Sequence, residues 1–145
     1  MNARLSSEML HSTTVAKDGR EVSITGRSGS GKSDLGLRLL DRGFSLVSDD
    51  QTIVRRTDHR LIVSAPPTIK GKLEVRGIGI VEMDAVDDVQ LCLVVELSEA
   101  LERMPEAGLI RTLLGIAIPL VKLDAKDASA PVKVEIALDR LRSSA

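Results

Sequence analysis

Apolar and polar positions alternate along this chain in short runs, and the period of the alternation changes from segment to segment. After the turn KDGR, Val22 and Ile24 alternate with polar neighbours, which predicts a strand running into Gly26. In KSDLGLRLLDR, Leu35 and Leu39 are four apart with Leu37 and Leu40 beside them, which predicts a helix that stops at Gly43. FSLVSDD predicts a strand ending in two carboxylates, and QTIVRR and RLIVSA flank TDH as a hairpin or close strand pair would. LEVRGIGIVEM and VQLCLVVEL predict further extended segments, and SEALERM a short helix capped by Ser98. GIAIPLVKL predicts another strand. SAPVKVEIALDRLRS, with Ser129 near the cap and Pro131 early, predicts a C-terminal helix. The sum is an α/β fold with a strand-rich mixed sheet.

Composition narrows the class. A chain of 145 residues with no internal repeat, low-complexity tract or long Gly/Ser or Pro linker is expected to form one domain over residues 1–145. With 43% hydrophobic and 28% charged residues it has the make-up of a globular protein with one core. Lys and Arg number 20 against 21 Asp and Glu, a net charge of −1, so no global field attracts a polyanion. There is no Trp or Tyr and one Phe, Phe44, which leaves few rings on which bases could stack. Nucleic acid is therefore not an expected partner. The single cysteine, Cys92, lies in an apolar run, cannot form an internal disulfide and fits a reducing compartment as a small buried hydrophobe. No run of about 18 apolar residues exists and MNARLSSEML lacks the apolar core of a signal peptide, so the expected location is the cytoplasm, with no membrane partner.

Candidate chemistry begins at GRSGSGKSD. Gly26, Gly31, Lys32 and Ser33 satisfy G-x-x-x-x-G-K-[ST], after a predicted strand and before a predicted helix. In that context the glycines let the backbone form a cup, so that the N–H groups around Gly29 to Ser33 point at phosphate oxygens and the helix N-terminus adds positive potential. Lys32 reaches the outer phosphates and the Ser33 hydroxyl can ligate Mg2+. The motif specifies phosphate binding without naming a reaction.

Asp49 and Asp50 follow, at the end of the strand after the P-loop helix. One strand–loop–helix–strand passage brings them toward the phosphates, and ligands of such sheets sit outside the carboxyl ends of the strands. Adjacent acids on an extended strand face opposite ways, so one is expected to act as base and the other as a metal or structural partner. In KLEVRGIGIVE, Glu74 and Arg76 are two apart and on an extended segment would share a face. An acid for a metal and a cation for a transferring phosphoryl group would have this spacing, and so would a surface ion pair. The spacing leaves both open.

These segments together, GRSGSGKSD, RGFSLVSDD and LEVRGIGIVE, with LHSTTVA upstream, resemble the catalytic domain of the HPr kinase/phosphorylase family. The resemblance runs from about Leu10 to about Leu138, and the combination is narrow although a P-loop alone is common. It is similar to short forms found in alphaproteobacteria, which lack the N-terminal domain of longer members. It implies the P-loop fold of HPr kinases and PEP carboxykinases. It implies that Gly26, Arg27, Ser28, Gly29, Ser30, Gly31, Lys32 and Ser33 bind the phosphates of ATP, that Ser33 and Glu74 ligate Mg2+, and that Lys32 is catalytic. Asp50 falls on the family's acid/base aspartate, with Asp49 beside it, and Arg76 on the segment used in both directions of reaction. His11 matches an active-site histidine, with Ser12 where the family usually has Gly. The implied activity is serine phosphorylation of an HPr-like phosphocarrier protein, with a reverse reaction that consumes inorganic phosphate and releases pyrophosphate. Longer relatives form hexamers, so a homo-oligomer is a further expectation.

One departure bears on the reverse reaction. The family's P-G-R-N element corresponds here to KLDAKDASAP, with no arginine between Arg111 and Arg140. Lys122 and Lys126 offer charge without a guanidinium fork, so kinase activity is expected to survive with weak or absent phosphorylase activity. Two rival functions share the P-loop, a small-molecule kinase and a non-catalytic nucleotide sensor. The first lacks an Arg-rich lid segment here; the second would tolerate loss of Asp50.

Overall fold

The computed structural model describes residues 6–100 and 107–143. The described elements are β1 (Ser7–Leu10), β2 (Ser12–Lys17), β3 (Arg20–Thr25), α1 (Lys32–Asp41), β4 (Ser45–Ser48), β5 (Thr52–Thr57), β6 (Arg60–Ser64), β7 (Lys72–Val75), β8 (Gly79–Glu82), β9 (Val89–Leu97), β10 (Ile110–Leu113), β11 (Ile116–Leu123) and α2 (Ala130–Ser143).

The run VQLCLVVEL supplies β9, which holds the main sheet together. One of its edges pairs in parallel with β3. Its other edge is shared, pairing antiparallel with β6 through Val89 and Gln90 and in parallel with β11 from Val94 to Leu97. The order β1-β5-β6-β9-β3-β2-β4 results, with β11 and its antiparallel partner β10 attached at the end of β9. Because β2 is antiparallel to both β3 and β4, those two strands run the same way as β9 and β11. Four strands therefore end at one edge of the sheet, where ligands of open α/β sheets bind.

Two clusters cover the faces. Val22 and Ile24 of β3, Leu93 and Val95 of β9, Leu35 and Leu39 of α1 and Val134 and Leu138 of α2 form a helix-covered core. Burying a leucine such as Leu39 contributes about 1.5–3 kcal/mol. On the other face the sheet curls over itself, bringing Val54, Leu61 and Val63 against Leu91, Val94, Leu113 and Ile118. Helix α1 ends as its sequence predicts, with Gly43 N–H donating to Leu40 O and Phe44 N–H to Leu39 O.

Three features differ from the sequence expectation. The apolar pattern does not predict strands β1, β2 and β10. β2 begins Ser12-Thr13-Thr14, which is polar on paper, yet all three are fully buried because their hydroxyls are partnered. Thr14 Oγ1 lies 2.8 Å from Ser23 Oγ and 2.9 Å from Thr52 Oγ1, and Ser12 Oγ donates to Thr52 Oγ1 at 2.9 Å. Next, LEVRGIGIVEM is not one extended segment but the β7–β8 hairpin, closed by Ile78 N–H donating to Val75 O at 3.0 Å. Gly77 (φ 87°) gives the turn its left-handed step. Arg76 is thus a turn residue and does not share a strand face with Glu74. Finally, Asp49 and Asp50 lie just past β4 rather than within it. The helix expected in SEALERM falls largely on residues 101–106, outside the described residues; Ser98 Oγ accepts from Ala100 N–H at 3.2 Å.

Candidate active site

Gly26 follows the last residue of β3, and residues 26–31 turn from that strand into α1. The turn is tight. A Cβ on Gly26 would lie 2.6 Å from Ser30 Oγ and 3.2 Å from Leu97 Cβ, so only glycine fits. Lys32, in the first turn of α1, is buried and folds back to donate from Nζ to the carbonyls of Gly26 and Arg27, each at 3.1 Å. Arg27, Ser28 and Gly29 are exposed along the rim.

The two aspartates occupy different environments. Asp49 is 8% exposed and accepts three hydrogen bonds. Oδ1 accepts from Ser33 Oγ at 2.6 Å and from Thr13 Oγ1 at 2.8 Å, and Oδ2 accepts from Glu74 N–H at 3.0 Å. It links the P-loop helix, β2 and the β7–β8 hairpin. Asp50 takes a left-handed backbone (φ 67°), which Asp tolerates better than most residues, and presents a side chain 67% exposed with Oδ1 3.9 Å from Lys32 Nζ. One acid is buried among hydrogen-bond donors and the other is exposed.

Glu74 and Arg76 reach the site less directly. Glu74 is held by its backbone N–H, while its carboxylate and the Arg76 guanidinium are exposed and make no hydrogen bond or ion pair among the described residues. Leu73, fully buried, anchors this hairpin, and Met83 N–H donates to Gly71 O at 2.8 Å at its base. His11 is exposed in the one-residue break between β1 and β2, without a hydrogen bond or ion pair among the described residues.

A cleft of about 280 Å³ opens beside the P-loop, between residues 27–30, Leu97 to Glu99 and Asp124 to Lys126. Sequence reasoning found only its P-loop wall. The other walls follow β9 and β11, distant in sequence, and the signal that finds them is topological: both strands end at the same edge as β3. Gly31 packs so closely that a Cβ there would lie 2.9 Å from Ala125 Cβ. Arg38 of α1 braces the same segment by donating to the carbonyls of Ala125 and Asp127. Lys126 Nζ donates to Glu99 Oε1 at 2.8 Å across the mouth, whereas Lys122 lies 3.8 Å from Glu96 and belongs to a different surface.

Among the described residues no three His, Cys, Asp or Glu side chains form a cluster that could hold a metal ion. A cation here would take few protein oxygens, with Ser33 Oγ and the nearby carboxylates as the available hard donors. That donor set fits Mg2+ held mainly by phosphate and water oxygens. Cys92, half-buried on the bulge where β9 shifts against β3, has its thiol pushed up by burial and lies outside this site.

A glycine-rich turn at a strand–helix junction, with a buried lysine and an exposed carboxylate beside it, defines a P-loop protein. A family model described as HPr Serine kinase C-terminal domain matches residues 3–143, and the chain belongs to that family. The HPr kinase/phosphorylase of Chlorobium limicola is 36% identical over 132 residues, covering 80% of this chain and 39% of the relative. That of Limosilactobacillus reuteri is 32% identical over 130 residues (81% and 41%), and that of Clostridium botulinum 46% over 74 residues (51% and 24%). The chain thus spans between 24% and 41% of the length of these curated relatives. The solved Hpr(Ser) kinase/phosphatase from Coxiella burnetii superposes with a TM-score of 0.80 at 28% identity, over 94% of this chain and 92% of that one. No helix among the described residues is long and apolar enough to cross a membrane.

Proposed function

We propose that this domain transfers the γ-phosphoryl group of ATP to a seryl hydroxyl of an HPr-like phosphocarrier in the cytoplasm. The observation that carries the reading is the division between the two acids. Asp49 is buried and engaged by Thr13, Ser33 and Glu74 N–H, while Asp50 stands exposed 3.9 Å from the buried Lys32. A base for a macromolecular acceptor must be reachable from solvent and close to the transferring group, and Asp50 meets both conditions.

In the forward direction the seryl oxygen forms a bond to the γ-phosphorus as the bond to the β–γ bridging oxygen breaks. Asp50 takes the seryl proton and ADP leaves. Lys32 exchanges its two P-loop carbonyls for phosphate oxygens and steadies their charge, with the exposed Arg76 as a second cation. Ser33 Oγ and the Glu74 carboxylate would hold Mg2+, which would supply neutralisation of phosphate charge. The nucleoside part of ATP fits the cleft against Leu97 and Ala125. In reverse, inorganic phosphate attacks the phosphoserine, Asp50 returns the proton to the leaving seryl oxygen and pyrophosphate is released. Residues 112–139 carry no arginine, and Lys126 is engaged with Glu99, which supports a weak reverse reaction. Assembly into a homo-oligomer and a role for His11 at the acceptor side complete the reading.

The test is intact-mass spectrometry of a candidate carrier after incubation with the protein and Mg-ATP, with Asp50→Asn as control. A single phosphate on a carrier serine, lost with Asp50→Asn, is the expected result. An unphosphorylated carrier despite intact ATP binding would overturn the reading.

A further inference from the structure

Thr13 touches three parts of the site with one small side chain. It is fully buried on β2. Oγ1 donates to Asp49 Oδ1 at 2.8 Å and accepts from Asp50 N–H at 3.3 Å. Its methyl stands over Gly36 of α1, where an added Cβ would come within 2.8 Å of Thr13 Cγ2. Strand register explains why Thr13 is the residue that does this. Thr14 pairs with Ser48, the last residue of β4, so Thr13 projects just past the end of β4, where Asp49 and Asp50 leave the sheet.

We infer that Thr13 is a positioning residue that fixes both aspartates relative to the P-loop helix. This rests on the phosphotransfer reading for its kinetic consequence. Asp49 has two other partners, and neither belongs to the main sheet: Ser33 is on α1 and Glu74 N–H is on the hairpin. Thr13 is the donor that ties the carboxylate to the sheet. The same hydroxyl accepts from the amide of Asp50, whose left-handed backbone costs energy unless its neighbours hold it. The hydroxyl and the methyl do separable work, since one registers the acids and the other spaces α1 from β2.

Two substitutions separate these roles. Thr13→Val keeps the shape and removes the hydroxyl; Thr13→Ser keeps the hydroxyl and removes the methyl. Hydrogen exchange is measured on nucleotide-free protein, alongside ATP affinity and the rate of transfer to a seryl carrier. In Thr13→Val the amides of Asp50 and Glu74 lose protection while Val95 in the core keeps its own, which establishes an intact fold. Its kcat falls by about 10²-fold, the scale of a misplaced catalytic group, with KM for ATP little changed. Thr13→Ser retains most of the rate and the protection. Unaltered exchange at both amides in Thr13→Val overturns the inference, as does a Thr13→Ser variant that falls as far as Thr13→Val. If the unmutated protein transfers no phosphate while the two variants still diverge in exchange, the phosphotransfer reading fails and the positioning role stands.

Discussion

The phosphate side and the hairpin side of the site are built in opposite ways. On the phosphate side, Lys32, Asp49 and the P-loop are held by the sheet edge, by α1 and by buried hydroxyls. On the hairpin side, Glu74 and Arg76 ride on the separate β7–β8 pair, with Ile78 and Ile80 at 79% and 71% exposure. One bond, from Glu74 N–H to Asp49, ties that hairpin directly to the acids. On the phosphotransfer reading, a phosphate has a fixed shape and rewards a preset cup, whereas a protein acceptor must enter and leave, which suits a hairpin anchored at its base by Leu73 with an exposed tip.

Substitutions in the two regions should behave differently. The largest effect is expected from Asp50→Asn, which removes the base and should lower transfer by about 10²–10⁴-fold with ATP binding retained; a rate near that of the unmutated protein would break the division between the acids. Next comes Asp49→Ala, which strands the Ser33 and Thr13 hydroxyls and the Glu74 N–H. A loss of about 2–4 kcal/mol in denaturant unfolding is expected, and a loss below 1 kcal/mol would mean that the phosphate side is not held through Asp49.

Glu21 sharpens the comparison from within the rigid side. At the start of β3, the end remote from the P-loop, it is fully buried with neither carboxylate oxygen partnered, and burial pushes its pKa up to about 9. The folded state therefore binds a proton that the unfolded state releases above its ordinary value of 4.5. Stability is highest at low pH on this account and is lost progressively as pH rises toward 9. Glu21→Gln should abolish that slope and stabilise the protein at pH 8 by roughly 1–3 kcal/mol; parallel pH profiles of melting for the two proteins would contradict it. The smallest stability effect belongs to the hairpin tip. Ile78→Ser with Ile80→Ser should move unfolding by no more than about 0.5 kcal/mol yet raise KM for the protein acceptor, and a large drop in melting temperature would show that the hairpin is part of the rigid side after all.

Local signals in the sequence revealed the phosphate side only in part. The P-loop, its flanking strand and helix, and the Asp49–Asp50 pair are contiguous and were legible. β2 was not, because a Ser-Thr-Thr run gives no apolar alternation and its burial depends on hydroxyl partners as far away as Thr52. The hairpin is hard to tell from a single strand because β-favouring residues stand on both sides of the turn, Leu73 and Val75 before Gly77 and Ile78 and Ile80 after it, and only the shift of parity between the two pairs marks the break. Glu99 and Asp124 carry no local mark as cleft residues, and Lys126 stands out only as a charge in place of the family's arginine, since nothing local says that β9 and β11 end beside β3.

The tight contacts of Gly26 with Leu97 and of Gly31 with Ala125 also carry a consequence for synthesis on the ribosome. The P-loop emerges early, but the walls that shape it come from residues 97 and 125. The parallel partner of β3 likewise arrives only with β9, a long-range pairing of the slow kind. A nascent chain therefore carries the motif well before it carries the cleft, and nucleotide capture becomes a reporter of finished folding rather than an aid to its early steps.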